Sequence, residues 1–236
     1  MRLRCFLWPD NIPHCLVCKC GKNLTPTHKF NCNRFITFRS KVHDAVRDQI
    51  YCMAKSYRIE SLLEPVLSKL VDVIEKSTFG DSRGDLLVPG IDGSTIIIDV
   101  RSSDVCNDVN LKLANSNLSD PLSKAENQKF AKYLTKINCL NSLSHTNYLL
   151  CPFVFSLFGS LGKVALSFSH DFADIVEKRT GRIFDVRLWT NRVVFAIFKG
   201  MVSLVSNSLL SLGKYYEERV VEFTSSHDLA FDDVLC

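Results

Sequence analysis

The sequence predicts an α/β fold, and three observations carry that expectation. Residues 83–101, RGDLLVPGIDGSTIIIDVR, read as a β-hairpin. Residues 34–58 and 123–138 place apolar side chains at helical spacing. Residues 148–158, YLLCPFVFSLF, form a short apolar run suited to a buried strand, with Pro152 expected to break it. The composition supports a packed core: 236 residues, 46% of them hydrophobic, suffice for one large domain, or for one domain with a small appendage. A net charge of +4 permits a nucleic-acid partner without requiring one.

In the hairpin, Leu86, Leu87 and Val88 end one apolar run, and Ile96, Ile97, Ile98 and Val100 form the next. The segment from Pro89 to Ser94 between them is a dense turn signal. The first strand starts with Asp85 and the second ends with Asp99. A turn centred near Asp92 sets Asp85 opposite Asp99, with Cβ atoms about 5 Å apart on one face. Two carboxylates that close repel unless a positive charge lies between them, and a hard divalent cation takes oxygen ligands. Arg101, two residues past Asp99, turns to the same face. The pair therefore suggests a metal-dependent phosphodiester site; it equally fits a hairpin with an acid at each exposed end.

Ten cysteines without a signal-peptide h-region in MRLRCFLWPDNIPHC point to a reducing, intracellular compartment, and to metal rather than disulfides. Cys18, Cys20, His28 and Cys32 make a tetrad: C-x-C-G, seven intervening residues, then H-x-x-x-C. Thiolate and imidazole in a set of four suit tetrahedral structural Zn²⁺. Gly21 permits the tight turn after the second ligand. Cys15 or His14 is the alternative to Cys18, and a cluster of free thiols is the alternative to a knuckle.

In the 34–58 helix, Phe35, Phe38, Val42, Ala45, Val46, Ile50, Met53 and Tyr57 form the apolar stripe. Arg39, His43 and Arg47 make a row on a different face that suits phosphate contact or a solvated charged surface. Pro65 disfavours helix at Glu64, and residues 66–76 then carry helical spacing. Ser102 to Asp120 reads as a polar loop. Ser123 and Glu126 have capping-box spacing and open a helix with Phe130, Tyr133, Leu134 and Ile137 on its apolar face. Lys129, Lys132 and Lys136 lie on another face, suited to phosphate or simply to solvent. Gly159 to Gly162 turn the chain into helices at about 164–179 and 188–214. Residues 193–212 have the length of a membrane span, but Lys199, Gly200 and several serines mark a buried globular helix instead. The last twenty residues read as a frayed tail.

In order and spacing these pieces resemble the C-terminal region of non-long-terminal-repeat retrotransposon reverse transcriptases that carry a restriction-like endonuclease, and their protist, fungal and algal homologues. The resemblance rests on the knuckle, Lys41-Val42-His43-Asp44, Glu64-Pro65, Arg83-Gly84-Asp85, Asp99 after thirteen intervening residues, and Lys129-Phe130-Ala131-Lys132-Tyr133. Phe158-Gly159 after the strand also fits, and the likeness covers roughly residues 14–200. It implies a PD-(D/E)xK fold: a mixed sheet of four or five strands flanked by helices. The implied division is a zinc-knuckle segment at 1–33, a restriction-endonuclease-like domain at 34–215 and a tail at 216–236.

The resemblance further implies Glu64, Asp85 and Asp99 as metal-binding carboxylates for Mg²⁺ or Mn²⁺, with Lys129, or else Lys132, positioning the attacking water. The knuckle, Arg39, His43, Arg47 and Arg101 would grip DNA, with RNA as the alternative partner, and a eukaryotic location would be nuclear. The implied activity is strand nicking by a retroelement-derived endonuclease, a fragment or freestanding remnant without a polymerase. The alternative is a catalytically inactive nucleic-acid-binding remnant of the same fold, and a third reading is a structural zinc protein. Two departures from the family pattern are Arg101 in place of a lysine and Gly84 in place of a proline. The Glu64–Asp85 interval also leaves room for an extra helix.

Overall fold

A computed structural model of the chain describes residues 20–21, 36–71, 79–103 and 120–203. The chain divides into two compact units, one of Ile36–Met201 and one combining Met1–Phe35 with Val202–Cys236. The first is a mixed α/β unit: a four-stranded mixed sheet flanked by helices. Helix α1 spans Ile36–Ser56. Strands β1 (Leu62–Leu63), β2 (Leu86–Pro89), β3 (Thr95–Ser103) and β4 (Tyr148–Ser156) lie in the order β1-β2-β3-β4. Helix α2 (Pro121–Leu143) precedes β4, and α3 (Lys163–Thr180) and α4 (186–203) follow it.

The hairpin forms in the expected register. Leu86 faces Ile98 and Pro89 faces Thr95, so the pairing extrapolates to Asp85 across from Asp99. Strand β3 is the central element, pairing antiparallel with β2 and parallel with β4. Its residues Ile96 to Val100 are all buried, as expected of a strand covered on both faces. On one face Ile97 joins Leu67, Phe79 and the α2 residues Tyr133, Ile137 and Leu140. Helix α1 lies against β2 and β3 and buries Val42, Val46 and Ile50. Beside them Trp189 stacks on Phe172 at 5.0 Å, and its indole N–H donates to Ser169 Oγ.

Four expectations need correction. Pro152 does not break β4, which is continuous through it. Among the described strands β4 is an edge, where a residue without an N–H is tolerated. The helix expected from Val66 is absent over 66–71: a bridge from Val66 to Arg83 and a 3₁₀ turn at Leu67–Lys69 take its place, and 72–78 lie outside the described residues. Ser102 and Ser103 continue β3 rather than starting a loop. The cap of α2 is Asp120, which accepts from the Leu122 and Ser123 amides ahead of Pro121 at the first helical position. On that helix Phe130 and Leu134 are exposed, while Leu122, Ala125 and Leu140 join Tyr133 and Ile137 inside.

Released from a capping box, Glu126 is buried and accepts from the Val164 amide at 2.9 Å, capping α3 instead. A Cβ on Gly162 would stand 2.2 Å from Glu126 Oε1, so the glycine is required for this approach. Burial raises the Glu126 pKa against the Val164 hydrogen bond, and the nearby Asp120 charge adds to the rise. Glu126→Ala should cost about 1–3 kcal/mol, the price of an orphaned buried amide, in a denaturant titration. Glu126→Gln keeps the acceptor and should cost much less. Because the native carboxyl holds its proton more tightly, this residue's contribution falls as pH rises from the unfolded pKa through the raised native one. The Gln variant should lose that dependence.

Candidate functional site

Asp85 is held by backbone before its side chain does anything. Its amide donates to Ile98 O at 2.9 Å, and its carbonyl accepts from Glu64 N at 3.0 Å. Its Oδ2 accepts from the Val100 amide at 2.6 Å, which draws the carboxylate toward β3 just past Asp99. Gly84 explains itself here. Its amide donates to Pro65 O at 3.1 Å, which a proline could not do. A Cβ at that position would stand 2.7 Å from Ile97 Cγ2.

Around Asp85 opens a cleft of about 580 Å³ lined from α1 by Ser40, His43, Asp44 and Arg47, from the chain before β2 by Glu64 and Asp85, from β3 by Val100, Arg101 and Ser102, and from α2 by Lys129. His43 Nε2 lies 3.2 Å from Asp85 Oδ2, and its Nδ1 lies 3.1 Å from Asp44 Oδ1. Arg47 Nη1 donates to Glu64 Oε1 at 2.7 Å, and the same guanidinium is paired with Asp48. Glu64 itself has a positive φ of 50°, a left-handed conformation that costs a non-glycine residue on the order of 1 kcal/mol or more. Asp99 is 4% exposed and forms an ion pair with the Lys129 ammonium through Oδ2, an oxygen that takes no directed hydrogen bond among the described residues.

The structure thus brings Glu64, Asp85, Arg101, His43, Arg47 and Lys129 to one cleft, with Asp99 attached through Lys129. Lys132 is not among them; it lines a separate pocket with Lys136. Arg39 lies within α1, though its side chain is outside the described residues. Of the knuckle tetrad, Cys18, His28 and Cys32 lie outside the described residues. Cys20 is exposed, and Gly21 has the left-handed φ of 84° that a tight turn requires. The pairing of His43 with Asp85 had no local signal, because it depends on how α1 crosses the hairpin. Asp44 is marked in the sequence only as part of the Lys41–Asp44 motif, and Ser40 and Ser102 have no signal as cleft residues.

Among the described residues no group of three or more His, Cys, Asp or Glu side chains is disposed to hold a metal ion. Of the carboxylate pair expected to hold one, Asp85 lines the cleft and Asp99 meets it through Lys129. Mg²⁺ is commonly held by one or two carboxylates, with water and substrate phosphate completing the shell. Asp99 Oδ2 is buried and already in contact with the Lys129 ammonium, so an ion bound there would have to displace that contact. Glu64 enters the cleft attached to Arg47 rather than to that pair. Comparison with known proteins finds no matching family model and no curated protein that matches the chain. No helix among the described residues is long and apolar enough to cross a membrane.

Burial opposes the His43 imidazolium, but hydrogen bonds and charge from Asp85, then Asp44, outweigh it, so its pKa is raised above 6.5. In the protein free of divalent ions, an NMR titration should place His43 above an ordinary histidine, and Asp85→Asn should bring it down. The linked stability is fully present below the unfolded pKa and is lost as pH rises through the raised value.

Proposed function

We propose that the cleft hydrolyses phosphodiesters in DNA, nicking one strand, with Mg²⁺ or Mn²⁺ held by Asp85 and Asp99. The observation that carries this reading is the meeting, at one open cleft, of the pinned carboxylate Asp85 and the Asp99–Lys129 pair. Such an ion, when bound, neutralises charge on the transferring phosphate and lowers the pKa of water. Lys129 is placed to orient the attacking water and to accompany Asp99. Arg101 remains protonated and faces non-bridging phosphate oxygens as a fixed positive charge. Water gives up a proton to solvent as it adds to phosphorus, the P–O bond to one sugar breaks, and the departing oxygen takes up a proton from solvent. The hairpin followed by a parallel strand across a helix supports a restriction-endonuclease-like version of the α/β fold. The order of motifs supports descent from a retroelement protein.

One observation favours the second reading, an inactive nucleic-acid-binding remnant. Asp85 and Asp99 already have cationic partners in His43 and Lys129, so the cleft is balanced without a metal ion. Nicking of supercoiled plasmid separates the two. Metal-dependent nicking should be lost in Asp85→Ala/Asp99→Ala, and Lys129→Ala should reduce turnover at least a hundredfold, the scale of a lost proton-transfer or water-positioning group, while binding persists. Unchanged turnover on losing Lys129 would remove its role. Folded wild-type protein that binds DNA without nicking it would favour the remnant.

The N-terminal tetrad Cys18, Cys20, His28 and Cys32 is proposed to hold one structural Zn²⁺ that helps grip the nucleic acid. Purified protein should contain close to one zinc per chain, and Cys32→Ser should lose it; zinc-free protein unaffected by that change would sink the assignment.

A further inference from the structure

Next to the cleft, the loop 79–83 and the α2 residues Lys132, Tyr133 and Lys136 enclose a second pocket of about 490 Å³. Its lining holds three cations, Arg83, Lys132 and Lys136, against one carboxylate, Asp81. Among the described residues no ion pair joins Asp81 to any of the three. Three ammonium groups gather around one aromatic ring: Lys132 Nζ is 5.0 Å, Lys136 Nζ 5.9 Å and the cleft's Lys129 Nζ 6.0 Å from the Tyr133 centroid. The Lys136 ammonium also donates to Ser82 Oγ. Like charges crowded in this way repel each other, and an anion between them relieves the repulsion.

The pocket is rigidly joined to the cleft. The Tyr133 hydroxyl donates to Arg83 O at 3.0 Å, and Arg83 bridges to Val66, two residues before the pinned Asp85. On α2, Lys129 and Lys136 are separated by two helical turns, roughly 10 Å along the axis. We propose that this pocket is a phosphate subsite for the nucleic-acid backbone, taking a phosphate that flanks the one at Asp85 and Lys129 and so fixing the strand's position. The subsite rests on the reading of the neighbouring cleft as a nucleic-acid site. It gives Lys132 a role in strand positioning rather than in chemistry, and requires that the serine hydroxyl and the ammonium groups turn toward the ligand.

The test uses the full chain and a fluorescent 20-base-pair DNA duplex, with affinity measured against salt. Lys132→Ala/Lys136→Ala should weaken binding on the order of tenfold, and reduce the slope of log affinity against log salt by about one for a single phosphate contact. Lys132→Arg/Lys136→Arg should restore most of both, which separates lost charge from lost folding. Wild-type affinity and slope in the alanine pair would overturn the subsite while leaving the nuclease reading intact. Lost nicking at unchanged affinity would also overturn it, by assigning these lysines to chemistry. The expected binding loss in a wild-type background that never nicks would uphold the subsite and overturn the nuclease reading.

Discussion

The cleft depends on how Asp85 is seated. Backbone hydrogen bonds tie its amide and carbonyl to β3 and to Glu64, and the Val100 amide fixes its carboxylate. None of these contacts requires the side chains that face the cleft. The carboxylate is therefore positioned by the same ladder that defines the sheet, and it does not depend on a ligand to be ordered. The close approach requires Gly84, since any Cβ there collides with Ile97. Glu64 is drawn in by the same arrangement: its amide serves Asp85, and its backbone accepts a left-handed conformation to do so.

The charges around this seat are arranged in pairs. His43 faces Asp85, Lys129 faces Asp99, and Arg47 faces Glu64. Each of these basic side chains comes from a helix and each of these three acids from the sheet or its approach, while Asp44 and Asp48 on α1 add further contacts to His43 and Arg47. An acidic cluster without such partners would repel itself, and the buried Asp99 would hold its charge only at a large desolvation cost. Divalent-ion binding would then be an exchange: an ion entering between the carboxylates weakens the hold of His43 and Lys129 and frees their donors for phosphate oxygens.

Local signals were legible where the chain is its own partner. The β-branched run and the Pro89–Ser94 turn define the hairpin, and the centre of the turn sets Asp85 across from Asp99. The α1 stripe at Val42, Val46 and Ile50 is equally local. The misreadings arose where a distant segment competes. Residues 66–71 have helical spacing, but pairing with the chain at Arg83 holds them extended and then in a 3₁₀ turn. Glu126 has capping-box spacing, yet Asp120 takes that cap and Glu126 serves α3 across the fold. His43 reads as one member of a surface row, and only the crossing of α1 over the hairpin shows that it faces Asp85.

Lys129 and Lys132 illustrate the limit of spacing as a guide to chemistry. Both belong to one basic row, and sequence alone offers either as the lysine beside the carboxylates. The helix separates them: one reaches Asp99, while the other turns over the Tyr133 ring toward the 79–83 loop. Tyr133 lies between them, buried, with its hydroxyl committed to Arg83 O and its pKa pushed up by burial and then by the Asp99 charge. A phenol carries no positive charge at any pH, so the cationic partner of Asp99 is Lys129. All three lysines of the row gather around the Tyr133 ring, yet Lys129 pairs with Asp99 while Lys132 and Lys136 line the pocket with Asp81 and Arg83.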